Sequence, residues 1–179
     1  MQLLRVSIFM SGLWTRRFES RSRPGMSLSL SSSAFSNGAK IPRRHTCDGV
    51  NVSPPLAWSG VPAGTRALVL VCSDPDAPGG TFHHWAAYNI PPDASGLEEG
   101  VHDTSIGQNP LQAVNDFGRR GYAGPCPPHG HGPHRYVFRL SSLREPLAGV
   151  HAKASCTEII ALAKPHEIAV TELVGVYER

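Results

Sequence analysis

No apolar run in this 179-residue chain approaches the roughly 20 residues that a membrane-spanning helix requires, so no transmembrane segment is expected. No Cys-x-x-Cys pair occurs among Cys47, Cys72, Cys126 and Cys156, and four cysteines spread this widely demand no disulfide framework. Cys72 sits in an apolar run and reads as a small core hydrophobe. A reducing compartment fits, and the cytoplasm is the expected location. No Gly-x-Ser-x-Gly elbow occurs, which leaves a hydrolase without an obvious nucleophile. Charged residues make up only 17% of the chain against 40% hydrophobic, with 18 Gly and 16 Pro. That balance favours many short elements joined by turns, and so a mainly β fold over a helix bundle. A basic body is also missing. Residues 1–25 hold five arginines against one glutamate, so the formal net charge of +3 leaves −1 for residues 26–179. No nucleic-acid partner is expected.

Those first 25 residues differ from the rest. An interrupted apolar segment from Leu3 to Trp14 is followed by an Arg- and Ser-rich stretch. Three readings compete: a secretory signal, which Arg5 and the later arginines disfavour; an organelle transit peptide; and a start codon placed too early, with Met26 the real start. All three make residues 1–25 a leader and residues 26–179 a single domain.

What is present centres on residues 68–90. The apolar, β-branched run Leu68–Val71 with Cys72 and Ser73 suits a strand buried on both faces, and Pro75 and Pro78 end it because neither can donate a ladder hydrogen bond. Gly79 and Gly80 let the chain return through Thr81–Ile90. If the two strands pair, Asp74 and Asp76 are fixed at a strand end with His84 near the loop base, within reach of Asp76. The bland alternative is ordinary turn chemistry beside a core histidine.

Further turns at Asn37-Gly38, Asp48-Gly49 and Pro62–Gly64 indicate a sandwich or barrel of antiparallel strands. Residues 93–115 read as loop with no long helix. A second polar cluster follows: a stiff loop from Gly121 to Pro133, then a strand with Tyr136, Phe138 and Leu140 alternating. Gly124, Gly130 and Gly132 would let backbone N–H groups approach a bound group. At the C-terminal end, Ser155-Cys156-Thr157-Glu158 has the form of a capping box, so a short helix should begin there, stop at Pro165 and give way to a strand from Glu167.

The loop Asp74-Pro75-Asp76-Ala77-Pro78, the strand His83-His84-Trp85 and the run from Gly124-Pro125-Cys126-Pro127-Pro128 to His134-Arg135-Tyr136-Val137-Phe138 occur in this order. Together they resemble the phosphatidylethanolamine-binding protein family, most closely its prokaryotic, Raf-kinase-inhibitor-like branch, over about residues 34–179. The resemblance implies a β-sandwich of two antiparallel sheets with a short C-terminal helical element. It also implies a small pocket for phosphate-type anions or phospholipid headgroups, lined by Asp74, Asp76, Pro78, His84, Pro127, Pro128, His134 and Tyr136, with the C-terminal end near its mouth. Cys126, where eukaryotic members have Gly, points to the prokaryotic branch and a narrower pocket.

The expected function is non-enzymatic anion binding, with no cofactor. Three rivals stand beside it. Inhibition of a protein kinase or protease partner rests on the family name alone. A hydrolase using Asp76 and His84 as a general-base pair lacks a nucleophile. Metal binding by Cys126, His129, His131 and His134 is opposed by Pro127-Pro128, which extends the chain between the first two donors, so no metal is expected. An Asp76–His84 hydrogen bond would raise the His84 pKa and make anion binding tighten as pH falls.

Overall fold

The computed structural model describes residues 27–101 and 110–179. The expected leader and part of the expected 93–115 loop lie outside the described residues. In chain order the elements are β1 (Ser29–Ser31), β2 (Leu56–Ser59), β3 (Ala67–Asp74), β4 (Phe82–Ile90), β5 (Gly96–Leu97), β6 (Leu111–Gln112), β7 (His134–Leu143), α1 (Cys156–Ala163) and β8 (Glu167–Tyr177).

Strand β3 is central because its sequence is apolar on both faces. Leu68, Leu70 and Cys72 point one way, into a core with Trp85, Phe138 and Leu140. Val69 and Val71 point the other way, towards Cys156 and Ile159 of α1. Five strands pair in the order β6-β4-β3-β7-β8, and a smaller sheet runs β1-β2-β5, with every strand pair antiparallel. Leu30, Leu56 and Trp58 of the small sheet close over the inner face of the large one. This is the expected two-sheet sandwich, with the helix on the outer face. The part of the 93–115 loop that is described holds two short strands, β5 and β6, which the sequence reading did not separate from loop.

The expected hairpin forms, with an irregularity that matters for the site. Cys72 pairs with Trp85, but Ser73 pairs with His83, so His84 is an extra residue on β4. A bulge of this kind re-aims side chains. Here it leaves consecutive His84 and Trp85 both buried, with the His84 ring 5.2 Å from that of Tyr136 and the Trp85 ring 5.6 Å from that of Tyr122. The Trp85 indole donates to Gln112 Oε1 at 2.7 Å, so its burial leaves no polar atom orphaned.

At the C-terminal end, Ser155 accepts from the Glu158 amide and Glu158 accepts from the Ser155 amide, completing the expected capping box. A 3-10 turn containing Pro165 ends the helix, and β8 then runs unbroken for 11 residues.

One expectation is overturned. Cys47 and Cys126 are 79 residues apart in sequence, but their Cα atoms lie 5.4 Å apart and their sulfurs are bonded. Two turns that are far apart in sequence meet beside the end of β3, where cysteine count and spacing carry no local signal. With this bond present, cysteine usage no longer argues for a reducing compartment. Cys72 and Cys156 are free and buried.

Candidate functional site

Asp74, at the end of β3, is buried rather than displayed on the loop. One carboxylate oxygen accepts the Asp76 amide at 2.9 Å, closing the turn that Pro75 starts, and the other accepts His134 Nδ1–H at 2.7 Å. His134 reaches it because β3 and β7 are antiparallel, with Ser73 opposite Val137, so the end of one strand lies beside the start of the other. His134 is itself buried, and its Nε2 lies 2.9 Å from Nδ1 of His131.

Asp76 turns outward. Its carboxylate accepts from the Arg135 amide and Nε, both at 2.9 Å, and from an Arg135 terminal nitrogen at 2.7 Å. This bidentate pairing holds the Asp76 pKa down to about 2. The expected Asp76–His84 pair is therefore not formed. His84 Nδ1 donates instead to the Ala123 carbonyl at 2.7 Å, which makes Nε2 of the neutral ring an acceptor. Burial pushes the His84 pKa down, against the smaller opposing effects of the Ala123 carbonyl and Asp74, so the expected upward shift is reversed in sign. A general-base dyad of Asp76 and His84 has no geometric basis in this arrangement.

Six of the eight predicted residues, Asp74, Pro78, His84, Pro127, Pro128 and His134, line a cavity of about 180 Å³. Asp76 stands outside its lining, and so does Tyr136. The Tyr136 hydroxyl is buried without a hydrogen-bond partner, and burial followed by the nearby Asp74 carboxylate pushes its pKa up. Four further residues line it: Cys126, which was expected to narrow the pocket, and Ala77, Phe82 and Phe117, which were not expected in its wall. Phe82 and Phe117 pack edge to face at 4.7 Å, and each also packs against His84. Phe117 could have been noticed as a large apolar residue inside an Asn-Asp-x-Gly turn. Asn115 Oδ1 organises that turn by accepting from the Phe117 and Arg119 amides, and Asp116 ties it to the His83 amide at 2.7 Å.

Two of the three glycines expected to offer their amides to a ligand have them bonded within the protein. The Gly124 amide donates to Asn51 Oδ1 at 2.7 Å and the Gly130 amide to the Arg179 carbonyl at 3.1 Å, so neither is free for a ligand. A Cβ on Gly124 would overlap the His45 carbonyl oxygen, which makes its absence a packing requirement of the 45–46 segment. The C-terminal residue closes this side: Arg179 pairs with Asp48 at 3.0 Å and approaches Cys126 Sγ at 3.4 Å.

A groove of about 390 Å³ on the helix-covered face of the large sheet is bigger but mainly apolar, with the Arg139–Glu167 ion pair at one side. Size alone does not choose between them. Of the two, the smaller cavity is the one walled by buried, oriented imidazoles.

The depressed pKa values carry a stability prediction. Burial lowers the pKa of both His83 and His84. Such a group contributes stability that is fully present above its unfolded pKa of about 6.5 and is lost as pH falls through the folded value. Asp76 contributes stability above about 4 that is lost towards pH 2. Urea midpoints should therefore decline in two acid steps, the first beginning below about pH 6.5 and softened in His84→Gln. A flat profile from pH 7.5 to 5 would contradict the buried, neutral histidines.

Fold and site together define a class: a two-sheet antiparallel sandwich with a small, histidine-walled cavity where the ends of its central strands meet. The chain belongs to the phosphatidylethanolamine-binding protein family, whose model matches residues 31–178. Relatives include a "UPF0098 protein" of Methanothermobacter thermautotrophicus, 43% identical over 85% of this chain and 99% of its own length. Another, from Aquifex aeolicus, is 40% identical over 90% of this chain and 95% of its own. The crystal structure of E. coli YbcL, described as a member of the mammalian PEBP family, superimposes with a TM-score of 0.80 at 33% identity, covering 86% of this chain and 99% of that one. These relatives place the chain in the family's prokaryotic branch. Among the described residues no helix is long and apolar enough to cross a membrane.

Proposed function

We propose that the chain is a non-catalytic binding module whose cavity takes a phosphate-type anion, the group carried by phospholipid headgroups and phosphorylated partners. The observation that carries this reading is the Asp74–His134 pair. A buried carboxylate fixes Nδ1 of an imidazole in the cavity wall and supplies the counter-charge for the imidazolium form that an anion calls for. The Asp74 charge is thereby turned towards His134 and the Asp76 amide. Asp76 is offset by Arg135. His84, an acceptor at Nε2, complements a ligand bringing one proton, as a phosphate monoester monoanion does. A cavity of about 180 Å³ admits a headgroup but falls short of the ~300 Å³ and more of pockets that enclose drug-sized ligands. Kinase or protease inhibition would need an outer surface of its own.

Calorimetric or NMR titration with O-phosphoethanolamine should show saturable binding that weakens at least about tenfold in His134→Ala, since hydrogen bonds to charged groups contribute ~1.5–3 kcal/mol. Glycerophosphoethanolamine, a diester without a P–OH, separates the intact lipid headgroup from a free monoester. Equal affinity in the wild type and His134→Ala would sink the proposal.

A further inference from the structure

Both nitrogens of the His134 ring are already occupied: Nδ1 by Asp74 and Nε2 by the ring of His131, 2.9 Å away. Any ligand that is to reach Nε2 must first meet His131. That residue sits in an exposed turn between Gly130 and Gly132, whose φ values of +74° and +86° lie in the left-handed region. No atom stands within 4 Å of a Cβ built on either glycine, so the tip of the turn is not packed into the body. Its hydrogen bonds are few: the His131 amide to the Pro128 carbonyl at 3.3 Å and the Gly130 amide to the Arg179 carbonyl at 3.1 Å. The deeper partner is the opposite case, since His134 is buried, belongs to a 10-residue strand and is clamped by Asp74. One ring is fixed and the other can leave.

Building on the phosphate-anion reading above, we propose that His131 is an internal stand-in for the ligand. Its imidazole fills the place at His134 Nε2 that the anion takes, and binding exchanges one for the other. With His134 as the imidazolium of the reading above, the exchange conserves hydrogen bonding at Nε2, whose N–H passes from His131 Nδ1 to the anion, while the His131 ring passes to water. The contact thus caps a buried polar atom in the empty protein, where an unpaired one would be costly. The same contact weakens the apparent affinity, since the fraction of molecules with His131 released sets how much protein is ready to bind. His131 is in this account a determinant of affinity that touches no ligand.

The test is titration of the full chain with inorganic phosphate, followed by calorimetry and by the ring resonances of the histidines. His131→Ala should bind phosphate about three- to tenfold more tightly than the wild type, the range that corresponds to loss of one net hydrogen bond. His134→Ala should bind it least. In the wild type the His131 ring signals should move with the same midpoint as the calorimetric transition and approach those of a solvated imidazole. Equal or weaker phosphate binding in His131→Ala would overturn the exchange while leaving the phosphate pocket standing. So would a His131 ring that does not respond while His134 does. Absence of phosphate binding in all three chains would overturn the pocket reading and this inference with it. His131 is exposed and outside every strand, so its replacement leaves the fold intact, and the wild-type resonances give a readout that needs no variant.

Discussion

Serine at both Cys47 and Cys126 is expected to lower the thermal midpoint by roughly 5 to 15 °C, from a loss of about 2–4 kcal/mol. The cross-link closes a 79-residue span, long enough that removing it returns substantial freedom to the unfolded chain. In the folded chain the two turns are also joined by the Cys47 amide donating to the Pro125 carbonyl at 3.1 Å, by Gly124 on Asn51, and by the Tyr122 hydroxyl donating to the His45 carbonyl at 2.7 Å. The loop should therefore stay in place at low temperature, and the loss should appear as a lower midpoint more than as a changed fold. Although Cys126 and the two prolines after it line the cavity, these other bonds hold the loop, so phosphate affinity should fall less steeply than stability. Thiol titration gives an independent check. The native protein should expose almost no reactive thiol, because Cys72 and Cys156 are buried, and the unfolded protein should yield two without reductant and four with it. Four reactive thiols in the unfolded, unreduced protein, or an unchanged midpoint in the double variant, would show that the bond is not part of the stable molecule.

The disulfide also marks where reading the sequence stops. Features written within about ten residues were legible: the apolar run of β3 broken by Pro75, the alternation of Tyr136, Phe138 and Leu140, the capping box at Ser155, the turns at Gly38 and Gly64 with positive φ. Six of the residues that line the cavity were also legible, through the ordered motifs that resemble the family. The pairings among them were not. Asp76 was joined to His84 because the two share a hairpin, whereas the sheet brings in Arg135 and His134 from roughly 60 residues away. No periodicity encodes that Asp74 is the inward carboxylate. It follows from the β3–β7 register, and the orientation of His84 follows from a bulge visible only in the β3–β4 register. The His84 pKa falls rather than rises for the same reason: its ring is bonded to the Ala123 carbonyl and not to a carboxylate, and burial prevails.

Asp74 is the residue whose loss should do most. In Asp74→Ala a buried donor, His134 Nδ1, and a half-buried one, the Asp76 amide, lose their acceptor together. Leaving one buried polar group unsatisfied costs about 1–3 kcal/mol, so a destabilisation of roughly 3 kcal/mol is expected. Asp74→Asn keeps the shape and one acceptor oxygen but sets an amide N–H against one of the two donors, and should cost about half as much. The effect on phosphate separates two physical pictures. If the buried carboxylate acted only as a like charge beside the anion, its neutralisation in Asp74→Asn would tighten binding by Coulomb's law. The geometry argues otherwise, because the carboxylate is paired with His134 and the pair adds no net charge when the ring is protonated. Replacing Asp74 then takes away the counter-charge of the imidazolium and the acceptor that fixes its Nδ1, and gives back no net positive potential. Asp74→Asn should accordingly bind phosphate at least about tenfold more weakly at pH 7 while still unfolding cooperatively in urea. Tighter phosphate binding in that variant would mean that the anion is held by something other than His134.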